Sequence, residues 1–345
     1  MSNRIRKINQ LDSLRALAAF SIVIYHFLPE YNLGKLPFGH IGVDVFFVIS
    51  GYLITAILLE QKSAIGNKLQ IIRNFIIKRA LRLFPAYYLY VSFFAILMLA
   101  LGLYVWDAGN GLYYFTYTQN ILFFNEGMKG VQANHLWTLA IEEQFYLVWP
   151  WLVIYLSNTR LIRLLCVSVP LVLIFKSIPT NEKYAMLPFY HIDTLGSGSL
   201  LALLLKERGD ALIKSIHGKK ALIISISFLT LCIASFKEVP LALEIAAIFA
   251  FAICLVIGCC YEFTGIAGNI LNHSKLHYLG KISYGLYLYH KPIPYFIQLV
   301  LSKTNLHVHN LILLLISIAL TIAVAHLSFR FLEMPFLKFK ERFDL

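Results

Sequence analysis

The chain has 345 residues, of which 59% are hydrophobic and 14% charged, and its mean hydropathy is +0.71. About a quarter of the residues in soluble domains are charged, so this composition excludes an ordinary soluble protein and predicts an all-α polytopic membrane protein. The net charge is +12. Most basic residues fall on one side of the predicted spans, so the charge indicates topology and no nucleic-acid partner is expected.

The first apolar segment, residues 11–28, contains Asp12, Arg15 and His26. Ionisable groups in a spanning helix are costly and usually mark a function. Arg15 and His26 are eleven residues apart, so a helix places them on one face, about 16 Å apart along its axis. The segment therefore predicts a fixed cation near one membrane surface and a titratable imidazole near the other. This arrangement suggests chemistry conducted through a bilayer.

Apolar runs of spanning length recur along the chain. We predict about ten transmembrane helices, near residues 11–29, 40–60, 83–105, 136–156, 163–179, 186–206, 219–236, 240–261, 280–301 and 309–332. Residues 111–124 are too short and too rich in Tyr and Thr to span. We predict that they form an interfacial or re-entrant helix in a long loop.

Lysine and arginine are concentrated in alternate connecting segments, such as 61–82 and 207–218. By the positive-inside rule these segments are cytoplasmic, and so are both termini. The pattern predicts one integral-membrane domain over residues 1–345, with no fused soluble domain. The five cysteines lie in apolar runs without metal-ligand spacing, so neither a disulfide nor a metal site is expected.

With this orientation, acids and histidines from five spans fall at a similar depth near the outer surface. They are His26, His191, His290, Asp44, Glu142, Glu143 and Asp193. A general base needs a pKa near the working pH, which histidine supplies and a partner carboxylate adjusts. His26 with Glu142 or Asp44 is thus a candidate catalytic pair. The alternative for any one pair is that it only stabilises helix packing.

A basic segment, residues 73–85, precedes the third predicted span on the inner side. Spacings of three and four residues stack Lys78 and Arg79 with Arg82 on one helical face, and Arg73 begins the segment. Such a cluster binds phosphates well, because arginine makes bidentate contacts with them. A topogenic or lipid-headgroup patch is the alternative.

The ninth predicted span contains tyrosines followed by a histidine. Tyr284 and Tyr287 lie roughly on one face, and Tyr287 and His290 do likewise. Aromatic packing and a substrate channel both explain this pattern. Near the inner end of the last span, Arg330 and Glu333 are three residues apart and predict a structural ion pair.

These segments together resemble the membrane acyltransferase-three family, the bacterial O-acyltransferases that modify cell-surface polysaccharides, lipopolysaccharide O-antigens and Nod factors. The resemblance is carried by residues 11–26, 42–55, 78–85, 136–147, 282–290 and 333–335. It is collinear over nearly the whole chain.

The resemblance implies transfer of an acyl group, commonly acetyl, from cytoplasmic acyl-CoA to a sugar hydroxyl outside the bacterial inner membrane. Acyl-CoA is then a donor substrate rather than a permanently bound cofactor, and the acceptor is a polysaccharide or a lipid-linked glycan. His26 matches the catalytic histidine, as base or as transient acyl carrier, and Arg15 matches its partner arginine. Glu142 matches an acidic position, and Asp44 is expected to share its orienting role.

On the donor side, Arg79 and Arg82 match the family's CoA-side motif, and Arg73 and Lys78 are expected to join them on the CoA phosphates. The remaining candidates line the substrate path: Asp12, Trp137, Glu143, Tyr146, His191, Asp193, Tyr284, Tyr287 and His290.

A proton-coupled transporter of a lipid or glycan is the alternative function, since intramembrane acids and histidines also suit it. The chain shows no inverted repeat and no matching pair of broken helices that would favour it. Residues of the predicted outer loops suit stacking on sugars, although a membrane-interface belt has the same composition: Trp106, Tyr113, Tyr114, Tyr117, Asn120, Asn125 and Asn134. The sequence does not indicate the acceptor, the acyl chain length or the oligomeric state.

Overall fold

The structure, a computed structural model, describes residues 8–27, 38–63, 67–100, 110–128, 133–178, 182–208, 222, 225–227, 229, 241–304 and 308–343. All regular structure in these ranges is helical, as predicted. The α-helices are α1 (Asn9–Phe27), α2 (Phe38–Lys62), α3 (Lys68–Ala100), α4 (Gly111–Phe115), α5 (Gln119–Glu126), α6 (Trp137–Tyr155), α7 (Asn158–Ser177), α8 (Ile192–Arg208), α9 (Leu241–Cys260), α10 (Gly265–Leu271), α11 (Ser274–Lys281), α12 (Ser283–Tyr289), α13 (Pro292–Thr304), α14 (Asn310–Ser328) and α15 (Met334–Phe339). Short 3₁₀ turns cover Asn134–Leu136, Glu182–Met186, Pro188–His191 and Lys340–Phe343, and a π-helical turn covers Phe329–Glu333.

Within the described ranges, four helical stretches are long and apolar enough to cross a membrane. They are Gly39–Lys62, Lys68–Leu97, Asn158–Ser177 and Asn310–Phe339. Glu244–Cys260 and Gly265–Leu271 meet at 84° and give a fifth candidate if they form one broken span. The chain is therefore a multi-pass membrane protein, and the number of ten spans stays a prediction.

Three other predicted spans coincide with helices that do not reach this length or hydropathy. α8 has only 17 residues. α1 and α6 have 19 residues each, but ionisable side chains lower their hydropathy. Those side chains include His26, Glu142 and Glu143, so the residues that make the helices poor spans are the ones predicted to be functional.

Two predicted elements differ in detail from the structure. Residues 280–301 form no continuous span, because Pro292 cannot donate a helical hydrogen bond and its ring crowds the preceding turn; α12 ends at Tyr289 and α13 begins at Pro292. Residues 111–124 form the two short helices α4 and α5, neither long enough to span. Most of the predicted span at 219–236 lies outside the described residues.

The described chain divides into two compact units. The first unit comprises Met1–Ile72 and Phe145–Lys281. α2 is its central helix and packs against α1, α8 and α9. The core is built of branched and aromatic side chains such as Val48, Ile49 and Phe47, each at most 1% exposed.

Glycines allow α2 to contact its neighbours at backbone distance. A Cβ at Gly51 would overlap the carbonyl oxygen of Leu195 on α8, and a Cβ at Gly198 would overlap that of Val48 on α2. Towards the start of α2, a Cβ at Gly42 would lie 2.7 Å from the carbonyl oxygen of Ala18 on α1. Small residues at helix interfaces give close van der Waals packing, which is the main attraction between helices in lipid.

The second unit comprises Arg73–Gln144 and Ile282–Leu345. In it, α12 and α13 pack against α14. Two hydroxyls of α3 tether the α4 segment, because Tyr87 donates to the carbonyl of Tyr114 (2.9 Å) and Tyr88 to that of Phe115 (3.0 Å). Residues 110–128 are thereby folded back onto α3.

Gly198→Ala should destabilise the protein, because its Cβ has no space against the α2 backbone; overpacking typically costs about 1–3 kcal/mol. Gly196→Ala, two residues away, is the matched control, since its Cβ would meet only the side chains of Leu165 and Val169 at 3.1 and 3.2 Å as nearest neighbours. Thermal unfolding in detergent should show a lower midpoint for Gly198→Ala than for Gly196→Ala. Equal midpoints would contradict the close helix contact.

Candidate active site

The imidazole of His26 has a defined orientation at the end of α1. Its Nδ1 lies 3.0 Å from the carbonyl oxygen of Ile22. A carbonyl oxygen only accepts, so Nδ1 carries the proton and Nε2 of the neutral ring carries the lone pair. The ring is half-buried and meets the ring of Tyr25 edge-on at 5.4 Å. The backbone therefore presents Nε2 as a basic nitrogen, the form that a general base requires.

Asp44, predicted to orient His26, belongs to a buried charged cluster on α2, α7 and α8. The charges of Lys176 and Asp193 both act on Asp44. Lys176 donates to Asp193 at 2.6 Å, and the two side chains are only 8% and 2% exposed. From the sequence, Lys176 is interpreted as an ordinary cation at a helix end. However, it lies within an apolar run, and this position indicates that its ammonium needs a buried partner.

Aromatic residues enclose this charged cluster. The Nζ of Lys176 lies 4.7 Å from the ring centroid of Tyr190. His191 donates through Nε2 to the carbonyl of Ala185 (2.8 Å), and its ring meets that of Phe47 at 4.9 Å. The charge of Lys176 acts on Asp44, Asp193 and His191 alike, so the three form one electrostatic cluster, while their depth in a membrane stays a prediction.

The other candidates of the first unit lie elsewhere in it. The carboxylate of Asp12 lies 3.4 Å from Nδ1 of His277 on α11, so it joins the start of α1 to α11. Arg15 is half-buried one turn further along α1. Tyr146 lies 3.3 Å from the hydroxyl of Ser50 and joins α6 to α2.

The basic segment of the second unit forms the first part of α3, which continues without a break through Pro85. Arg73 is exposed, whereas Lys78, Arg79 and Arg82 are half-buried. Arg82 interacts electrostatically with Glu333. The predicted ion pair of Glu333 with Arg330 is wrong: the guanidinium of Arg330 lies over the ring of Phe331 at 5.6 Å, while Glu333 is buried and accepts from Ser328 at 3.3 Å.

Glu142 and Glu143 lie in the second turn of α6. Glu142 is half-buried, and Glu143 is 7% exposed. Arg79 acts electrostatically on Glu143. Glu142 and His26 belong to different units, so their pairing stays a prediction.

The tyrosine and histidine candidates of α12 connect it to the start of α6. Tyr287 donates to the carbonyl of His135 (2.7 Å) and lies 2.6 Å from the hydroxyl of Thr138. His290 donates through Nδ1 to the carbonyl of Tyr287 (2.6 Å), and its ring lies 4.9 Å from that of His135. The remaining candidates there are Tyr284, which donates to the carbonyl of Leu83 (2.9 Å), and Trp137, which is half-buried.

Two aromatic residues assigned to an outer, sugar-stacking surface are buried instead. Tyr114 is 0% and Tyr117 6% exposed. Tyr117 stacks on Tyr87 with ring centroids 4.0 Å apart. Burial raises the pKa of Tyr117, so its hydroxyl keeps its proton. The stacking prediction is therefore wrong for these two residues, and Trp106 lies outside the described residues.

The charged and polar side chains of the described residues suit the binding of anions and hydroxyl groups. Within the described ranges, no three His, Cys, Asp or Glu side chains are grouped so that they could hold a metal ion. The half-buried cations of α3 could hold the phosphates of a nucleotide-type donor. The carboxylates and the imidazole of the first unit could accept protons from hydroxyl groups.

Comparison with known proteins identifies one family over most of the chain. The family described as "Acyltransferase domain" matches residues 8–330. No solved structure matches the chain.

Several curated bacterial proteins are similar to the chain over almost its whole length. A putative peptidoglycan O-acetyltransferase of Bacillus subtilis is 30% identical over 96% of the chain, and the peptidoglycan O-acetyltransferase OatA of Listeria monocytogenes is 30% identical over 95%. A putative O-acetyltransferase of Staphylococcus aureus is 32% identical over 97%. The chain spans 55%, 55% and 58% of the length of these relatives.

Lys176→Met should destabilise the first unit strongly, because it leaves the Asp193 carboxylate buried without its cation; removing one partner of a buried pair typically costs about 3–5 kcal/mol. Combining it with Asp193→Asn removes both charges and should recover a large part of the loss. The measurement is a double-mutant cycle of unfolding midpoints, with exposed Lys303→Met as the control. Additive effects of the two substitutions would show that the pair is not coupled.

Proposed function

Because the chain belongs to the acyltransferase domain family, we propose that it is an O-acetyltransferase of the bacterial cytoplasmic membrane. It transfers acetyl from cytoplasmic acetyl-CoA to a hydroxyl group of a cell-wall glycan on the outer side. The similar O-acetyltransferases support the reaction. The distribution of basic residues supports about ten spans with both termini inside.

The observation that carries the proposal is the bond between Nδ1 of His26 and the carbonyl of Ile22. It fixes Nε2 as the basic nitrogen. In the reaction, Nε2 takes the proton of the acceptor hydroxyl while that oxygen bonds to the acetyl carbonyl carbon. The carbon–sulfur bond of the thioester then breaks, and the CoA thiolate takes the proton from Nε2. The alternative route, in which Nε2 first accepts the acetyl group itself, uses the same tautomer.

The donor's phosphates are assigned to the basic part of α3. Lys78, Arg79 and Arg82 are half-buried on one continuous helix, with Arg73 exposed at its start, so the long side chains have little freedom left to lose. Arginine forks match phosphate oxygens in bidentate geometry. Arg15 is assigned to hold the thioester region of the bound donor.

The proposed acceptor follows from the names of the similar proteins and from the hydrogen-bonding groups of the first unit. Two of the similar proteins are named as peptidoglycan O-acetyltransferases, so a peptidoglycan sugar hydroxyl is the proposed acceptor. Carboxylates accept hydrogen bonds from hydroxyl groups, and half-buried Asp44 is assigned this role in the first unit. Glu142 is proposed to balance the charge that develops on His26.

His26→Ala should abolish turnover, because a positioned general base contributes typically about 10²–10⁴-fold. The measurement is release of CoA thiol from acetyl-CoA by the protein in liposomes, with soluble peptidoglycan fragments as acceptor. His273→Ala is the control, since His273 is exposed and should leave the rate unchanged.

Two results would count against this assignment. Unchanged turnover in His26→Ala would place the base elsewhere. Absence of turnover and of acetyl-CoA binding in the wild type would favour a transporter, which moves its substrate unmodified.

A further inference from the structure

Several buried polar atoms in the second unit have no hydrogen-bond partner among the described residues. Among them are Oε1 of Glu143 on α6 and the hydroxyl of Tyr117 between α4 and α5. Both side chains are more than nine-tenths buried, at 7% and 6% exposure, and they interact electrostatically. More than about 90% of buried polar groups in proteins are hydrogen-bonded. These two come from different elements and their side chains interact electrostatically, which indicates a site for a polar ligand.

Tyr117 has a strained backbone conformation that neighbouring hydrogen bonds hold in place. Its φ is +53°, a left-handed conformation that is uncommon for residues other than glycine. Its carbonyl accepts from the amide of Gln144 (2.9 Å), and Gln144 in turn exchanges hydrogen bonds with Asn120 (2.9 and 3.2 Å). Gln144 directly follows Glu143, so the same turn of α6 holds both residues. Backbone strain of this kind is typical of functional sites.

The two atoms differ in their hydrogen-bonding roles. The hydroxyl of Tyr117 is a donor that keeps its proton, whereas the carboxyl oxygen of Glu143 is an acceptor. A secondary amide fits such a pair, because its carbonyl accepts and its N–H donates. Arg79 interacts with Glu143, so this amide site adjoins the cations assigned to the donor's phosphates.

The distances between residues along α3 match the dimensions of the pantetheine arm of an acyl-CoA donor. The ring of Tyr117 stacks on Phe84 and Tyr87, which lie five and eight residues beyond Arg79, or about 8 and 12 Å further along the helix axis. The pantetheine arm of CoA carries two secondary amides between the diphosphate and the thioester. From standard bond lengths they lie about 6 and 12 Å from the diphosphate when the arm is extended.

We propose that Glu143 and Tyr117 bind an amide of the pantetheine arm of the acyl-CoA donor. This inference rests on the proposed function and assigns part of its donor site. Glu143 accepts the amide N–H, Tyr117 donates to the amide carbonyl, and the stacked rings of Phe84 and Tyr87 hold Tyr117 in place.

The test compares Tyr117→Phe and Glu143→Gln with the wild type on three donors. Acetyl-CoA carries amides and phosphates, S-acetyl-pantetheine carries the amides without phosphate, and S-ethyl thioacetate carries neither. Tyr155→Phe is the control, because Tyr155 is 51% exposed and belongs to the first unit. All variants are first compared by unfolding midpoint.

Both variants should raise KM about 5- to 10-fold for acetyl-CoA and for S-acetyl-pantetheine, as expected for one lost hydrogen bond, with kcat within about twofold. They should leave kcat/KM for S-ethyl thioacetate unchanged within about twofold, and Tyr155→Phe should leave kcat/KM for all three donors unchanged. Equal losses on all three donors, or no loss on the amide-bearing ones, would overturn the amide assignment. A wild type that turns over no thioester would instead overturn the proposed function, and this inference with it.

Discussion

The close approach of α2 to its neighbours is the constraint on which the first unit depends. Gly42 lets α2 reach the backbone of α1, and Gly51 with Gly198 lets it reach that of α8. Lipid provides no hydrophobic driving force between helices, so such van der Waals contact has to hold them together. The contact also sets the electrostatics, because Asp44 on α2 and Asp193 on α8 then both interact with the ammonium of Lys176.

Polar side chains buried in a membrane protein need partners, and most of those described here have them within their own unit. The histidines and tyrosines of α12 and of the 3₁₀ turn before α6 bond to backbone carbonyls. Lys176 and Asp193 neutralise each other. Glu143 and Tyr117 are among those that depart from this pattern, each with a buried polar atom that no described residue bonds. Their two side chains also interact electrostatically with each other, which makes them the candidates for one polar ligand.

The sequence could predict the helical class, most helix positions and the family, because long apolar runs and a collinear set of motifs carry that information. It could not predict the partner of Lys176, since pairing across helices depends on packing that periodicity does not encode. It could not predict the burial of Tyr117 either, because an aromatic-rich loop reads the same whether it lies at an interface or folds inward. The ion pair assigned to Arg330 and Glu333 failed because the π-helical turn at Phe329–Glu333 breaks the α-helical register on which it relied.

The central claim is that acetyl passes from a donor on one side of a membrane to a glycan on the other. The most direct test places the protein in sealed liposomes with its basic loops outward and peptidoglycan fragments enclosed in the lumen. Radiolabelled acetyl-CoA is added outside, and the luminal glycan is recovered and counted. We expect label on the enclosed glycan that depends on the protein and on intact vesicles. Label found only as free acetate outside, with the enclosed glycan unlabelled, would contradict it.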